Sequence, residues 1–404
     1  MVRIHQRAPL THSILTTRLR SLATAGLFAV LAFGIYATAT PAPRSPAERD
    51  LLQQAAGVGS AETGFPLFFH VADEHWLQPV AVYGTALAGF ITTPDNAGRL
   101  AAAATGGLNV ALIFLISRRL YASPLVAVGA SLLLLATPAH LAYARTGVDA
   151  IYPLPFVLVW LLTLAGYFET GDRRLAAAGA FALGVGVYSH PSAPLTMGAL
   201  LAVTLVTISV SGHRDWRSLW LPVAAFAAPV SVAAAWLAMN PVAYPDTFGR
   251  WAIHAAHLRS PWDGVRALVN WNTLGTRLSI YWGSFDPSWL FFDGPSLATP
   301  LGGAAPFLFA TAIALAAGMA QRLRDEWSPV TVMLLAGVAV APLAACTFGE
   351  PHAIGDFLAL VPLVVTLAAG GVAGLLARDG WRRILGWAAI ALFVIDAAPS
   401  MAAL

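Results

Sequence analysis

A chain this apolar keeps few carboxylates, guanidiniums and imidazoles, and those few mark where chemistry could occur. Glu48 and Asp50 stand in Pro43-Arg44-Ser45-Pro46-Ala47-Glu48-Arg49-Asp50, upstream of Gly64-Phe65-Pro66-Leu67-Phe68-Phe69-His70 and Asp73-Glu74-His75-Trp76. A carboxylate at a bilayer surface, beside aromatic rings that thin out the water, has its pKa raised and can act as a general base. The competing reading is a solvated loop in which these acids pair with Arg44 and Arg49, contacts worth about 0–1 kcal/mol each.

Arg145 and Asp149 follow in Tyr143-Ala144-Arg145-Thr146-Gly147-Val148-Asp149, at the ends of two consecutive apolar stretches. A charge there costs a few kcal/mol unless it is paired or faces water. The two can pair with each other, or Arg145 can hold a phosphate or sugar, which the planar guanidinium fits, with Asp149 joining the acids in the same cleft. His190 in Tyr188-Ser189-His190-Pro191 reads as an interfacial side chain or as a ligand contact. His254 and His257 share a helical face by their spacing, but zinc needs at least a third ligand and none is suitably spaced. Residues 281–294 pack Tyr, Trp and Phe around Asp286 and Asp293, and Glu350-Pro351-His352 with Asp356 closes the series. Aromatic faces there suit sugars, isoprene units or a plain interfacial anchor. Gly-x-Ser-x-Gly, His-Glu-x-x-His, paired Cys and Walker-type motifs are all missing from the sequence.

The elements that must position these groups are membrane helices. Of 404 residues, 58% are hydrophobic and 11% charged, against about 25% charged in a soluble domain. Such a composition excludes cytosolic, disordered and fibrous classes. The lone Cys346 leaves no disulfide framework to consider. Windows of roughly 20 apolar residues fall near 22–40, 98–117, 122–142, 149–168, 175–190, 194–211, 219–239, 301–320, 328–347, 356–377 and 384–403. The expected fold is therefore all-α and polytopic, with about 11 spans of that length. The first window reads as a span rather than a cleaved signal peptide, because a long basic stretch precedes it and ten more follow.

Charge sets the orientation. With residues 1–21 in the cytoplasm, 15 of the 23 Arg lie on short inner segments such as Arg118-Arg119, Arg173-Arg174 and Arg382-Arg383, while 14 of the 20 acids lie outside. This is the positive-inside pattern, and it explains the net charge of +3 without nucleic acid as a partner. Residues 22–404 then form one integral membrane domain with two long outer loops, 41–97 and 240–300. Connections normally run to about six residues, so these loops are expected to hold interfacial helices and the function.

The order of the pieces resembles the GT-C superfamily of membrane glycosyltransferases, in the branch similar to bacterial protein O-mannosyltransferases and the lipid A aminoarabinose transferase. The resemblance covers about residues 20–380. It rests on Gly64-Phe65-Pro66-Leu67 with Pro79-Val80-Ala81-Val82-Tyr83, Arg99-Leu100, Ser117-Arg118-Arg119-Leu120-Tyr121, Thr137-Pro138-Ala139-His140 with Ala144-Arg145, Gly184-Val185-Gly186-Val187-Tyr188-Ser189-His190, Phe285-Asp286-Pro287 with Leu290-Phe291-Phe292, and Pro351-His352-Ala353-Ile354. Each is a weak motif, and their succession carries the resemblance.

That resemblance implies a GT-C-like bundle in a bacterial inner membrane, moving a sugar with inversion from a polyprenyl-phosphate donor to a lipid, glycan or protein acceptor on the periplasmic side. It implies Glu48 or Asp50 as the base and Asp149 as a second acid, with Gln78, Tyr83, Arg99, Arg145, His190, Asp286 and His352 as donor or acceptor contacts. It allows a divalent cation without indicating its ligands. Relatives read Pro-Asp-Glu where this chain has Pro46-Ala47-Glu48, a Lys where Gln78 stands, and an Arg near Gly355-Asp356. A diverged, non-catalytic member of the family and a lipid or solute transporter are the competing readings; a transporter calls for mid-span charges, of which Asp396 is the main instance.

Overall fold

The computed structural model describes residues 10–38, 44–61, 63–71, 75–212, 215–240, 271–294, 300–324, 328–348 and 350–402. Proline opens many of its helices. Pro46, Pro79, Pro94, Pro124, Pro138, Pro153, Pro287 and Pro329 all stand in a first turn, where the fixed φ suits the helix and the missing N–H forfeits no bond. Ser45, Ser123 and Ser328 precede three of these and accept from the backbone N–H groups of Glu48, Val126 and Thr331, which satisfies one orphan donor each.

The helices in chain order are α1 (Leu10–Ala37), α2 (Pro46–Gly57), α3 (Pro79–Ala88), α4 (Pro94–Tyr121), α5 (Pro124–Ala136), α6 (Pro138–Arg145), α7 (Pro153–Thr170), α8 (Arg173–Gly186), α9 (Ala193–Val210), α10 (Trp216–Met239), α11 (Trp271–Gly283), α12 (Pro287–Phe291), α13 (Phe309–Arg324), α14 (Pro329–Val340), α15 (Leu343–Phe348), α16 (Leu360–Leu376) and α17 (Trp381–Ala402). Two short strands, β1 (Phe69–Val71) and β2 (His75–Leu77), pair antiparallel with Phe69 opposite Leu77. A 3₁₀ turn, Asp149–Ile151, leads into α7.

A helix lies at each of the eleven expected windows, but they are not all full spans. Among the described residues six helices are long and apolar enough to cross a bilayer, or seven if a broken pair counts as one. That pair is α5 with α6, bent by 61°. Thr137 sits at the bend in extended conformation, because a residue before proline is pushed out of the α region. The window 122–142 is thus two helices rather than one. Leu360–Leu376, at 17 residues, reaches about 26 Å, short of a 30 Å core unless its ends continue as turns.

The 28-residue α4 is the central post, packed against α1, α5 and α7. Glycine permits the closest approach: a Cβ on Gly107 would lie 2.7 Å from the Ala29 carbonyl oxygen of α1. Nearby, the Tyr36 hydroxyl lies 3.1 Å from Nδ1 of His140, and His140 Nε2 lies 3.4 Å from Asn109 Nδ2, so one fully buried polar chain joins α1, α6 and α4. A second glycine crossing joins α13 and α16, where a Cβ on Gly371 would lie 2.1 Å from the Ala314 carbonyl oxygen. The outer surfaces of α1, α10 and α17 stay apolar, with Val30, Val232 and Val394 exposed, as lipid-facing surfaces do.

Charged ends sort by face. Arg119 bonds Glu169 at 2.8 Å, Arg173 meets Asp215 at 2.8 Å, and Arg322 lies over the Tyr121 ring at 5.6 Å, so the ends of α4, α7, α8, α10 and α13 gather at one end of the bundle. The opposite ends of α4, α6 and α8 lead to Arg99, Arg145 and His190. This end also carries α2, the β-hairpin and α3.

Candidate active site

Ser45-Pro46-Ala47-Glu48 has the spacing of a capping box, in which the glutamate would turn back onto the cap's own N–H. Only half of that box forms. Ser45 accepts from the Glu48 N–H at 3.2 Å, while the Glu48 carboxylate turns inward to α4. Arg99 Nε donates to Oε1 at 2.6 Å and Nη2 donates to Oε2 at 3.1 Å. The glutamate is 2% exposed, so its lone pairs are committed to the guanidinium. Arg44 pairs instead with Asp95, at 3.7 Å, so the expected local pairing of the loop acids with Arg44 does not involve Glu48.

The loop between α6 and α7 presses onto this pair. A Cβ on Gly147 would lie 3.0 Å from the Gly98 carbonyl carbon, 3.2 Å from the Arg99 nitrogen and 3.2 Å from Glu48 Cγ. Only glycine passes there without displacing them, and two residues later the backbone delivers Asp149 at the head of its 3₁₀ turn.

His190 approaches Asp149 from the turn between α8 and α9. The Val80 N–H donates to the Tyr188 carbonyl at 3.1 Å and the Tyr188 hydroxyl donates to the Pro229 carbonyl at 2.6 Å, which ties this turn to α3 and α10. Asp149 Oδ1 and His190 Nε2 are 3.6 Å apart, beyond hydrogen-bonding distance. Both line a cavity of about 140 Å³ whose other walls are Ala47, Leu51, Leu77, Val148 and Pro191. On its far side the imidazole is engaged: Nδ1 accepts from the Ser192 N–H at 3.1 Å and meets the Ser192 hydroxyl at 2.7 Å.

Helix α2 has a second cavity against its other side. About 590 Å³ in volume, it is bounded by Leu52, Ala55, Ala56 and Val58 from α2 and its end, by Phe65, Tyr83, Ala86 and Phe90, and by Pro94 and Ala97 of α4. Its wall is almost wholly apolar. The Tyr83 hydroxyl donates to the Pro66 carbonyl at 2.7 Å, and burial pushes its phenol above the ordinary value.

Of the residues expected from sequence, Glu48, Arg99, Asp149 and His190 converge. Arg145 ends α6 four residues before Asp149, half-buried; Gln78 is buried beside the cavity-lining Leu77, at the N-cap position of α3 and without a side-chain capping bond; Tyr83 belongs to the apolar cavity. Asp50 is half-buried on α2 and lines neither cavity. Asp286 caps α12, accepting from the Ser288 N–H at 3.0 Å. His352 stacks on Trp289 with ring centroids 4.8 Å apart at 15°, in a left-handed conformation with φ of 61° that a non-glycine residue seldom adopts. Gly355 leaves room for Tyr143, whose hydroxyl would sit 2.9 Å from a Cβ there. His254 and His257 lie outside the described residues. Among the described residues no three His, Cys, Asp or Glu side chains are grouped to hold a metal ion.

Sequence reasoning did not single out Ser192 or the spacing role of Gly147. Ser192 meets His190 through its backbone N–H as well as its hydroxyl, and no side-chain pattern announces the former; Gly147 offered the weak cue of a glycine between two charged residues in a very short loop.

No protein-family profile matches the sequence, and no curated protein does. Solved structures do. ArnT from Cupriavidus metallidurans, bound to undecaprenyl phosphate, aligns with a TM-score of 0.55 at 15% identity, over 96% of this chain and 74% of that one. The Archaeoglobus fulgidus oligosaccharyltransferase in the apo form aligns with a TM-score of 0.55 at 15% identity, over 95% of this chain and 55% of that one. AglB of the same archaeon, in complex with an inhibitory peptide and a dolichol-phosphate, aligns with a TM-score of 0.50 at 13% identity. The chain thus spans about three quarters of the first protein (74%) and about half of the second (55%).

Proposed function

From the GT-C-like fold of this multi-pass membrane protein, we propose that it is an inverting glycosyltransferase that moves a hexosyl or pentosyl unit from a polyprenyl-phosphate donor to a lipid, glycan or protein acceptor. The site faces the periplasm of a bacterial inner membrane, on the side opposite the Arg-rich helix ends. One observation carries this reading: Asp149 and His190 face a small cavity on one side of α2, and a larger apolar cavity lies against its other side.

The chemistry follows from which groups remain available. Glu48 is held on both oxygens by Arg99, so it acts by fixing α2 and the Gly147 loop. Asp149, whose carboxylate makes no hydrogen bond among the described residues and has His190 Nε2 at 3.6 Å, is the general base. The acceptor O–H bond breaks and its proton goes to Asp149, the acceptor oxygen forms the new bond to the anomeric carbon, and the carbon–oxygen bond to phosphate breaks with its electron pair leaving on the phosphate. Arg145 is the cation assigned to that developing charge. The apolar cavity takes isoprenoid or acyl chain.

The test is transfer from a lipid-linked sugar donor in membranes. General-base contributions are typically about 10²- to 10⁴-fold, so Asp149→Asn is expected to lower transfer by at least about 100-fold at unchanged melting temperature. Parent-level transfer by Asp149→Asn removes the assignment.

A further inference from the structure

The two nitrogens of His190 have different partners, and that difference fixes what the ring can do. A backbone N–H can only donate, so the Ser192 N–H, 3.1 Å from Nδ1, requires a lone pair on Nδ1. The neutral ring therefore carries its proton on Nε2. That is the nitrogen facing Asp149, 3.6 Å from Oδ1 across the 140 Å³ cavity. The local backbone enforces this arrangement: Ser192 follows Pro191, the Ala193 N–H bonds the His190 carbonyl at 3.0 Å, and Ser192 is 3% exposed, so water does not compete for Nδ1.

We propose that His190 is a positioning residue, locked by Ser192 as an Nε2–H donor that aims and holds the ionised Asp149, and is not itself an acceptor of the substrate proton. The Nδ1 lone pair is already engaged by Ser192, and Nε2 has a proton to give rather than to receive. Catalytic hydrogen bonds are often long in an empty site and tighten when it is loaded, so the 3.6 Å separation closes with substrate in place. The proton lost by the acceptor hydroxyl thus goes to Asp149 alone, where the donated Nε2–H bond steadies the carboxylate before transfer. This inference rests on the proposed transferase reading for its kinetic arm and is independent of it for its spectroscopic arm.

Glutamine places an N–H₂ donor near the position of Nε2 but cannot take a proton; leucine supplies neither. His190→Gln is expected to keep transfer within about threefold of the parent with the same acidic limb in its pH–rate profile, and His190→Leu to lose more than about tenfold in kcat. A His190→Gln variant as inactive as His190→Leu overturns the donor role, and so does a fully active His190→Leu. Independently of activity, ¹⁵N NMR of histidine-labelled protein in detergent, with the His190 signals assigned by difference from His190→Gln among the 10 histidines, is expected to show an unprotonated Nδ1 and a protonated Nε2. A proton on Nδ1 overturns the lock whatever the transfer assay returns. Absence of transfer in the parent, with the expected tautomer present, removes the transferase reading and leaves the lock standing.

Discussion

At the residue scale the Glu48–Arg99 pair explains most about what can and cannot react. Its two members lie 51 positions apart, and side chains at that separation are joined only by the fold, so the sequence made each visible as a candidate and their union invisible. The same limit applies to Ser192, whose main-chain N–H contributes to the site beside its hydroxyl. Breaking one side of a buried ion pair costs about 3–5 kcal/mol, while replacing both sides with apolar groups of like volume is often close to neutral. Glu48→Ala is therefore expected to lower unfolding stability by about 3–5 kcal/mol, and the double change Glu48→Leu with Arg99→Met to recover much of that loss, as read by denaturant unfolding in detergent. An additive double mutant contradicts the coupling.

At the scale of elements, apolar windows were enough to locate the long helices, while the prolines and cap serines that open many helices act through local backbone chemistry to which hydropathy is blind. The break between α5 and α6 was less legible: a hydropathy window averages over Thr137-Pro138 and reports one span where the chain turns by 61°. Helix crossings were hidden for another reason, since a glycine needed for close approach and one with open space around it look alike in sequence. They separate on substitution. Gly371→Val must push α16 off the Ala314 carbonyl, 2.1 Å from where its Cβ would stand, and is expected to cost about 1–3 kcal/mol or more. Gly129→Ala, on an exposed face of α5 with nothing within 4 Å of the added carbon, is expected to gain up to about 1 kcal/mol from helix propensity. Melting temperatures of the two variants should move in opposite directions.

For the whole molecule, the charge asymmetry of the sequence suffices to propose a membrane orientation, and the structure gathers the ends bearing Arg119, Arg173 and Arg322 on one face. Cys346, the only native thiol, is buried, so single cysteines report cleanly. Asp95→Cys, near the start of α4, is expected to react with a membrane-impermeant maleimide in intact spheroplasts. Arg174→Cys, at the opposite end, is expected to react only after permeabilisation, and the reverse pattern inverts the proposed orientation. What charge and hydropathy could not convey is that the long loop 41–97 folds back so that one helix serves two hollows. Ala47 and Leu51 border the one that holds Asp149 and His190, and Leu52, Ala55 and Ala56 border the larger apolar one. Because α2 is a single stiff partition between them, a guest that presses it from one side alters the room left on the other. Thermodynamic linkage makes any such influence mutual: whatever factor a guest in one hollow imposes on affinity in the other is imposed on it in return.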